Sequence, residues 1–270
     1  MLFLLMITHK LVSMTTEIRI SILGHGRMGQ EIQRCIADSD DMVLAGIWTR
    51  SANTDESETS TLQSGDLSTV LSSSQVAVDF TLPEAAGDVF QAVIDAKTPL
   101  VCGVSGLTAS GFQLMLDASK EIPILYDRNM SLGVAVLQQM VQLAGAALGS
   151  QFEVEIHETH HIHKVDAPSG TAIQLGEALA ASRGQIFTEA YHYDPGGNSE
   201  PVSGQIHFDV KRRGEVPGEH NVLFKSANES LSLMHSVDDR RVFAVGAITA
   251  ARWLVNQAPG LYSMQDVIRK

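Results

Sequence analysis

Hydrophobic positions along the chain follow two regimes that change near residue 150. Ile18-Arg19-Ile20-Ser21-Ile22-Leu23 alternates and then turns wholly apolar, as a strand entering a buried parallel sheet does. Further short apolar runs follow at Met42 to Trp48, Val76 to Thr81, Pro99 to Val104 and Ile122 to Tyr126. Helical stretches at 30–37, 83–96 and 110–120 separate them. Strands alternating with helices predict an α/β fold built on a Rossmann-like, doubly wound parallel sheet. The ligand of such a sheet belongs at the carboxyl ends of its strands.

After Gly133 an amphipathic helix runs to about Leu148, and then Phe152-Glu153-Val154-Glu155-Ile156-His157-Glu158 alternates strictly. Runs at 205–212, 221–226 and 230–236 do the same, and 170–182 reads as a helix. These elements predict a second, α+β domain with an open, mainly antiparallel sheet carrying two helices. A last helix from Phe243 to Gln257 is expected to return to the first domain. The expected division is therefore 17–130 with 241–270 as one domain, 131–240 as the other, and 1–16 as a disordered extension. Met14 offers an alternative start, and Ser51 to Ser74 reads as a polar loop with a short helix.

Composition narrows the classes. A chain of 270 residues that is 44% hydrophobic has material for a substantial core. Its net charge of -12 argues against a nucleic-acid surface, which needs a basic face. The apolar start, Met1 to Ile7, falls well short of the ~20 residues of a membrane span, so no membrane role is expected. Cys35 and Cys102 both lie in apolar segments, which suits two buried thiols in a reducing, cytoplasmic compartment.

Between the first strand and first helix stands Gly24-His25-Gly26-Arg27-Met28-Gly29. In G-x-G-x-x-G the first Gly allows a tight turn, the second admits a pyrophosphate, and the third lets helix pack on strand. Residues 24–29 are thus candidate dinucleotide contacts. The second strand ends at Thr49-Arg50, where an acidic side chain would bind the ribose of NAD. A guanidinium suits a 2′-phosphate instead, so Arg50 favours NADPH over NADH as the cofactor.

The densest chemistry lies in Glu158-Thr159-His160-His161-Ile162-His163-Lys164-Val165-Asp166-Ala167-Pro168-Ser169-Gly170-Thr171-Ala172. Such a concentration of proton carriers and cations suits an anionic substrate that is protonated as it reacts. His157 to His161 also matches H-E-x-x-H, but that zinc motif needs both His on one face of a helix. The alternation here is that of a strand, which would set the two imidazoles roughly 13 Å apart. No metal is expected.

E-x-H-H-x-H-K-x-D-A-P-S-G-T-A resembles the signature of the 4-hydroxy-tetrahydrodipicolinate reductase (dihydrodipicolinate reductase) family, from the diaminopimelate route to lysine. The likeness extends from about residue 17 to nearly the end, through Gly26 to Gly29, Asp79-Phe80-Thr81, Asn129, Ser131, Gly133, Gly218-Glu219-His220 and Phe243-Ala244. It implies reduction of a cyclic imine dicarboxylate, with loss of water, by NADPH or NADH. Carried over by position, it makes His160 the proton donor and Lys164 its cationic partner. His161, Lys164, Gly170 and Thr171 would hold substrate carboxylates. Gly103, Val104, Ser105 and Asp127, Arg128, Asn129, Met130 would join the cofactor contacts. The resemblance also implies a homotetramer. Hydride and proton would come from different domains, so the cleft between them is expected to close about hinges near 127–130 and 239–242. The chain departs from the family pattern in a first glycine loop shorter than in many members and in Thr49, where an acid is usual. His157 has no family role and reads as a solvent-facing strand residue. A non-catalytic dinucleotide sensor would keep the Gly loop without needing the His and Lys cluster. A relative acting on another cyclic imine is the remaining alternative.

Overall fold

The structure, a computed structural model, describes residues 17–50, 63–196, 199 and 202–269. The extension expected over residues 1–16 and the stretch 51–62 of the polar loop lie outside them. The first half contains β1 (Ile18–Leu23), α1 (Arg27–Ala37), β2 (Met42–Trp48), β3 (Gln63–Ser64), α2 (Leu67–Leu71), β4 (Val76–Asp79), α3 (Ala86–Asp95), β5 (Leu100–Cys102), α4 (Ala109–Ala118) and β6 (Pro123–Tyr126). The second contains α5 (Leu132–Leu148), β7 (Glu153–His160), α6 (Gly170–Ser182), α7 (Phe187–Ala190), β8 (Tyr191–His192), β9 (Ile206–Arg212), β10 (Gly218–Lys225) and β11 (Ser230–Val237). The chain then closes with α8 (Arg241–Leu254), β12 (Gly260–Tyr262) and α9 (Met264–Ile268).

Seven strands form one sheet in the order β12-β6-β5-β4-β1-β2-β3, and every pairing is parallel. The order reverses between β1 and β4, so the chain leaves these neighbours in opposite directions and opens a crevice above them. Helices cover both faces. Ile20, Ile22, Val78 and Val101 pack with α1 and α8 on one side. Leu23, Ala77, Leu100 and Ile124 pack with α2, α3 and α4 on the other. Burial on both faces explains why β4 reads as a continuous run, Val76-Ala77-Val78-Asp79, with no wet position.

The second sheet has the order β11-β10-β7-β9-β8. Strand β10 pairs antiparallel with β7 and β11, whereas β9 runs parallel to β7 and β8 parallel to β9. The sheet is mixed because α6 carries the chain across one face between β7 and β9, a connection that returns parallel. Alternation marks a half-wet strand of either direction, so the sequence pattern could not show this. Val154, Ile156, Phe208, Val222 and Phe224 pack under α5 and α6, which contribute Leu137, Val141, Leu175 and Leu179. The stretch Leu132–Gln151, α5 and the turn after it, is long and apolar enough by length and composition to cross a membrane. One face of it belongs to this core, while Val136, Met140 and Leu143 on the other are exposed.

Helix α8 packs on the first sheet, and β12 and α9 add an edge strand and a short helix beyond it. Its fit is tight at Gly246, where a Cβ would lie 1.7 Å from the Met130 carbonyl oxygen. Alanine elsewhere in a helix gains up to about 1 kcal/mol over glycine. Here the backbone clash reverses the sign. Gly246→Ala should destabilise the protein by about 2 kcal/mol, read from the midpoint of urea unfolding.

Candidate active site

On the covered face of β7 the apolar row Val154, Ile156 continues into Glu158 and His160, which are 1% and 8% exposed. The register sets His220 of β10 opposite Glu158 and Arg212 of β9 opposite His160. Four polar groups thus gather where the sheet's apolar face ends. Glu158 Oε2 is paired with His160 Nδ1, and Arg212 Nη1 reaches the same oxygen at 3.3 Å. Its Oε1 accepts from the Ser169 amide at 3.0 Å and from Arg212 Nη2 at 3.3 Å. Burial pushes the Glu158 carboxyl up, but the His160 ring and Arg212 more than offset it, so the group stays below its ordinary range and ionised.

Ser169 caps α6, its Oγ accepting from the Ala172 amide at 3.2 Å and meeting His220 Nε2 at 3.0 Å. The His220 ring stands edge-on to His160 with centroids 5.1 Å apart. Burial, reinforced by the His160 charge, drives His220 down to about 3, so it is neutral. Glu158, His160 and His220 bring potential ligand atoms within 4.8 Å of one another. Both Glu158 oxygens are already committed, to His160, the Ser169 amide and the Arg212 guanidinium. The chemistry of the set is that of a hydrogen-bond network.

The loop after β7 carries the remaining candidates. Lys164 Nζ pairs with Asp166 at 2.8 Å, and Arg212 holds the carbonyls of Lys164 and Asp166 at 3.2 and 2.6 Å. Burial and then Arg240 push the His161 ring down, and its Nδ1 is a buried atom with no partner among the described residues. His163 is exposed against Glu215 at 3.1 Å. Gly170 and Thr171 form the first turn of α6 just beyond its cap, and Asn129 Nδ2 donates to Thr171 Oγ1 at 3.0 Å. His157 points to the opposite face of the sheet from His160 and pairs with Asp209 at 3.0 Å. Residues 157–160 are strand, so the H-E-x-x-H spacing never forms on a helix.

The glycine loop lies at the crevice between β1 and β4. Gly24 has φ +89°, a left-handed conformation that favours glycine. A Cβ on Gly29 would sit 2.1 Å from the Gly24 carbonyl, whereas one on Gly26 would meet nothing within 4 Å. Helix α1 begins at Arg27, three residues before the expected start, so Arg27 to Gly29 form its first turn with no side chain capping it. Its open amide end and the space at Gly26 fit a pyrophosphate. A cleft of about 270 Å³ here is lined by Gly24, His25, Gly26, Thr49, Arg50 and Thr81 among others. Beneath it, burial pushes Asp79 up to about 6, against the Thr81 amide that donates to it at 2.8 Å.

The other expected contacts divide. Gly103, Val104 and Ser105 follow β5, yet the Val104 side chain is buried. In 127–130 the side chains of Asp127 and Met130 also turn inward. Asp127 accepts from Gln174 of α6 and from the Met264 amide of α9, at 3.0 and 3.2 Å. At Val104, Asp127 and Met130 only the backbone can face a ligand. Arg128 crosses to Glu177 of α6 at 3.1 Å. Sequence reasoning assigned no role to Glu158, Ser169, Arg212 or His220. The spacing of Glu158 and His160 was a usable signal, since residues two apart on a strand share a face; nothing marked Arg212.

The model of "Dihydrodipicolinate reductase, N-terminus" matches residues 18–130, and that of "Dihydrodipicolinate reductase, C-terminus" matches 133–268. A 4-hydroxy-tetrahydrodipicolinate reductase of Sulfurimonas denitrificans is 38% identical over 253 residues, covering 93% of this chain and 99% of its own. One of Zymomonas mobilis is 38% identical over 255 residues, covering 94% and 98%. Among solved structures, a dipicolinate-bound dihydrodipicolinate reductase from a Paenisporosarcina species has a TM-score of 0.75 at 22% identity, covering 94% of this chain and 100% of its own. The C. glutamicum DAP dehydrogenase in complex with DAP has a TM-score of 0.57 at 14% identity, covering 93% and 94%. These two show the shared fold.

The glycine geometry separates folding from binding. Gly26→Ala should fold with an unchanged melting temperature yet bind dinucleotide at least tenfold more weakly, measured by fluorescence titration. Gly29→Ala should lose stability as well, by about 2 kcal/mol.

Proposed function

The chain belongs to the dihydrodipicolinate reductase family, and from that premise we propose how its residues reduce 4-hydroxy-tetrahydrodipicolinate to tetrahydrodipicolinate, a step toward diaminopimelate and lysine. Either reduced nicotinamide dinucleotide supplies the hydride when bound. The observation that carries the reading is the shared Glu158 carboxylate, which joins the His160 imidazole to the N-terminus of α6.

In this reading His160 is the proton donor. Its Nδ1 is engaged by Glu158, so Nε2 carries the proton that the substrate receives as hydride adds. Gly170, Thr171 and His161 hold a carboxylate, helped by the positive end of the α6 dipole. The Asn129 amide donates to Thr171 Oγ1, which leaves the Thr171 hydroxyl hydrogen free to donate toward that carboxylate. Lys164, presented by the loop that Arg212 holds, stabilises negative charge on the substrate. Gly24 to Gly29 form the phosphate cradle, with the backbone of 103–105 and 127–130 beside it.

Arg50 in the cleft, with Thr49 where an acid would repel a 2′-phosphate, favours NADPH. We divide the chain into a cofactor domain of 17–130 with 241–270 and a substrate domain of 131–240, the latter forming a homotetramer. Exposed Met234 and Leu231 on edge strand β11, and Met140 and Val136 on α5 beside it, support that assembly. Free, buried Cys35 and Cys102 suit the cytoplasm.

Oxidation of NADPH should depend on substrate generated in situ from pyruvate and aspartate semialdehyde. His160→Gln should lower kcat by 10²-fold or more with dinucleotide affinity intact. Parent-like turnover in that variant would remove His160 from the role. NADPH binding without any turnover in the parent would favour a sensor. Arg50→Ala should lower kcat/KM for NADPH about tenfold more than for NADH, and equal losses would count against Arg50 as the selector.

A further inference from the structure

We propose that Glu158 is a positioning residue for the reduction, holding His160 in its charged, Nε2-donating form, and that Arg212 limits how strongly it does so. The inference rests on His160 being the proton donor and adds what sets its readiness to donate.

An imidazole can donate only while protonated, and burial alone would favour its neutral form. His160 is 8% exposed, on the covered face of β7. The carboxylate against its Nδ1 is fully buried and ionised, so it stabilises the imidazolium and fixes which nitrogen faces away. Two positions along a strand place the pair on one face, and no loop motion separates them. Arg212 shares the same carboxylate through both terminal nitrogens at 3.3 Å, drawing off part of its field. That share weakens the hold of the carboxylate on the ring.

The other groups facing the pair are consistent with this division. His220 from β10 is neutral and hydrogen-bonded to Ser169, so it brings no charge. Lys164 from the loop is paired with Asp166 at 2.8 Å, which offsets part of its charge. His161, with its ring pushed down, adds none at neutral pH. Gly218 of β10 faces Nε2, and a Cβ there would come within 3.2 Å of it, so the missing side chain leaves room beside the donating nitrogen. Glu158 and Arg212 are therefore the charges that decide the state of His160.

The two variants should act with opposite signs. In the full-length protein, kcat/KM with NADPH is measured from pH 5.5 to 9.5, alongside NADPH affinity and melting temperature. Glu158→Gln keeps the shape but removes the anion, and should move the basic limb down by about one pH unit, a loss near pH 8 of about tenfold that shrinks toward pH 6. Glu158→Asp, which keeps the charge, should keep the limb in place. Arg212→Gln should move the limb up, even as kcat falls because the Lys164 loop loses its anchor. A purely structural role for either residue lowers activity equally at every pH. A limb unmoved in folded Glu158→Gln overturns the inference. If that variant does not fold, a limb that fails to rise in Arg212→Gln overturns it instead. His160→Gln separates the two levels: parent-like activity there removes the proton-donor reading itself, whereas an inactive His160→Gln beside unmoved limbs removes this inference alone.

Discussion

A carboxylate taken out of water must have every lone pair answered, and at Glu158 the answers come from three different parts of the second sheet and its helices. His160 lies two residues along the same strand, Arg212 on the parallel neighbour, and the Ser169 amide at the cap of α6. Breaking one partner of a buried charged cluster typically costs about 3–5 kcal/mol, because the remaining charge is left uncompensated. This penalty ties strand register to chemistry. A one-residue slip of β7 would send Glu158 and His160 to the open face and His157 and Thr159 inward. The apolar row of Val154 and Ile156 and the polar pair beyond it therefore demand the same register.

From that node the arrangement spreads outward through short links. Ser169 places Gly170 and Thr171 at the start of α6. Arg212 bonds the carbonyls on either side of Val165 and so presents the Lys164 loop. Asn129 joins Thr171 to the segment that follows β6, while Asp127 receives bonds from both α6 and α9. The same four residues, 127–130, thus follow a strand of the first sheet and touch α6 beside the second. Most of these contacts are single hydrogen bonds at buried or half-buried sites, in contrast to the apolar packing of Met130 against α8.

The crevice and the node solve different problems. At the crevice the parallel sheet leaves room, since the order reverses between β1 and β4 and Gly26 carries no side chain into the opening. At the node the mixed sheet fills space with matched charges. Hydride chemistry needs an approachable backbone for a large anionic cofactor, and proton transfer needs a dry, fixed donor. In the proposed reaction each sheet would supply one.

The amino-acid sequence by itself determined the elements and the reaction class. Unbroken apolar runs required strands buried on both faces, G-x-G-x-x-G required a phosphate turn, and Glu158 to Ala172 carried the family signature. Helix 170–182 fell where its pattern put it, and α8 returned to the first sheet. Beyond local patterning, it was left to the tertiary structure to decide pairing direction and partnership. Alternation is the same in parallel and antiparallel strands, so the parallel β7–β9 pairing that brings Arg212 to Glu158 left no trace in it. The three-residue β12 was likewise too short to signal. His160 could be read from its neighbours in sequence. Of the two charges nearest it, Glu158 lies two residues along the strand, whereas Arg212 comes from about fifty positions away, and only folding sets it beside the pair.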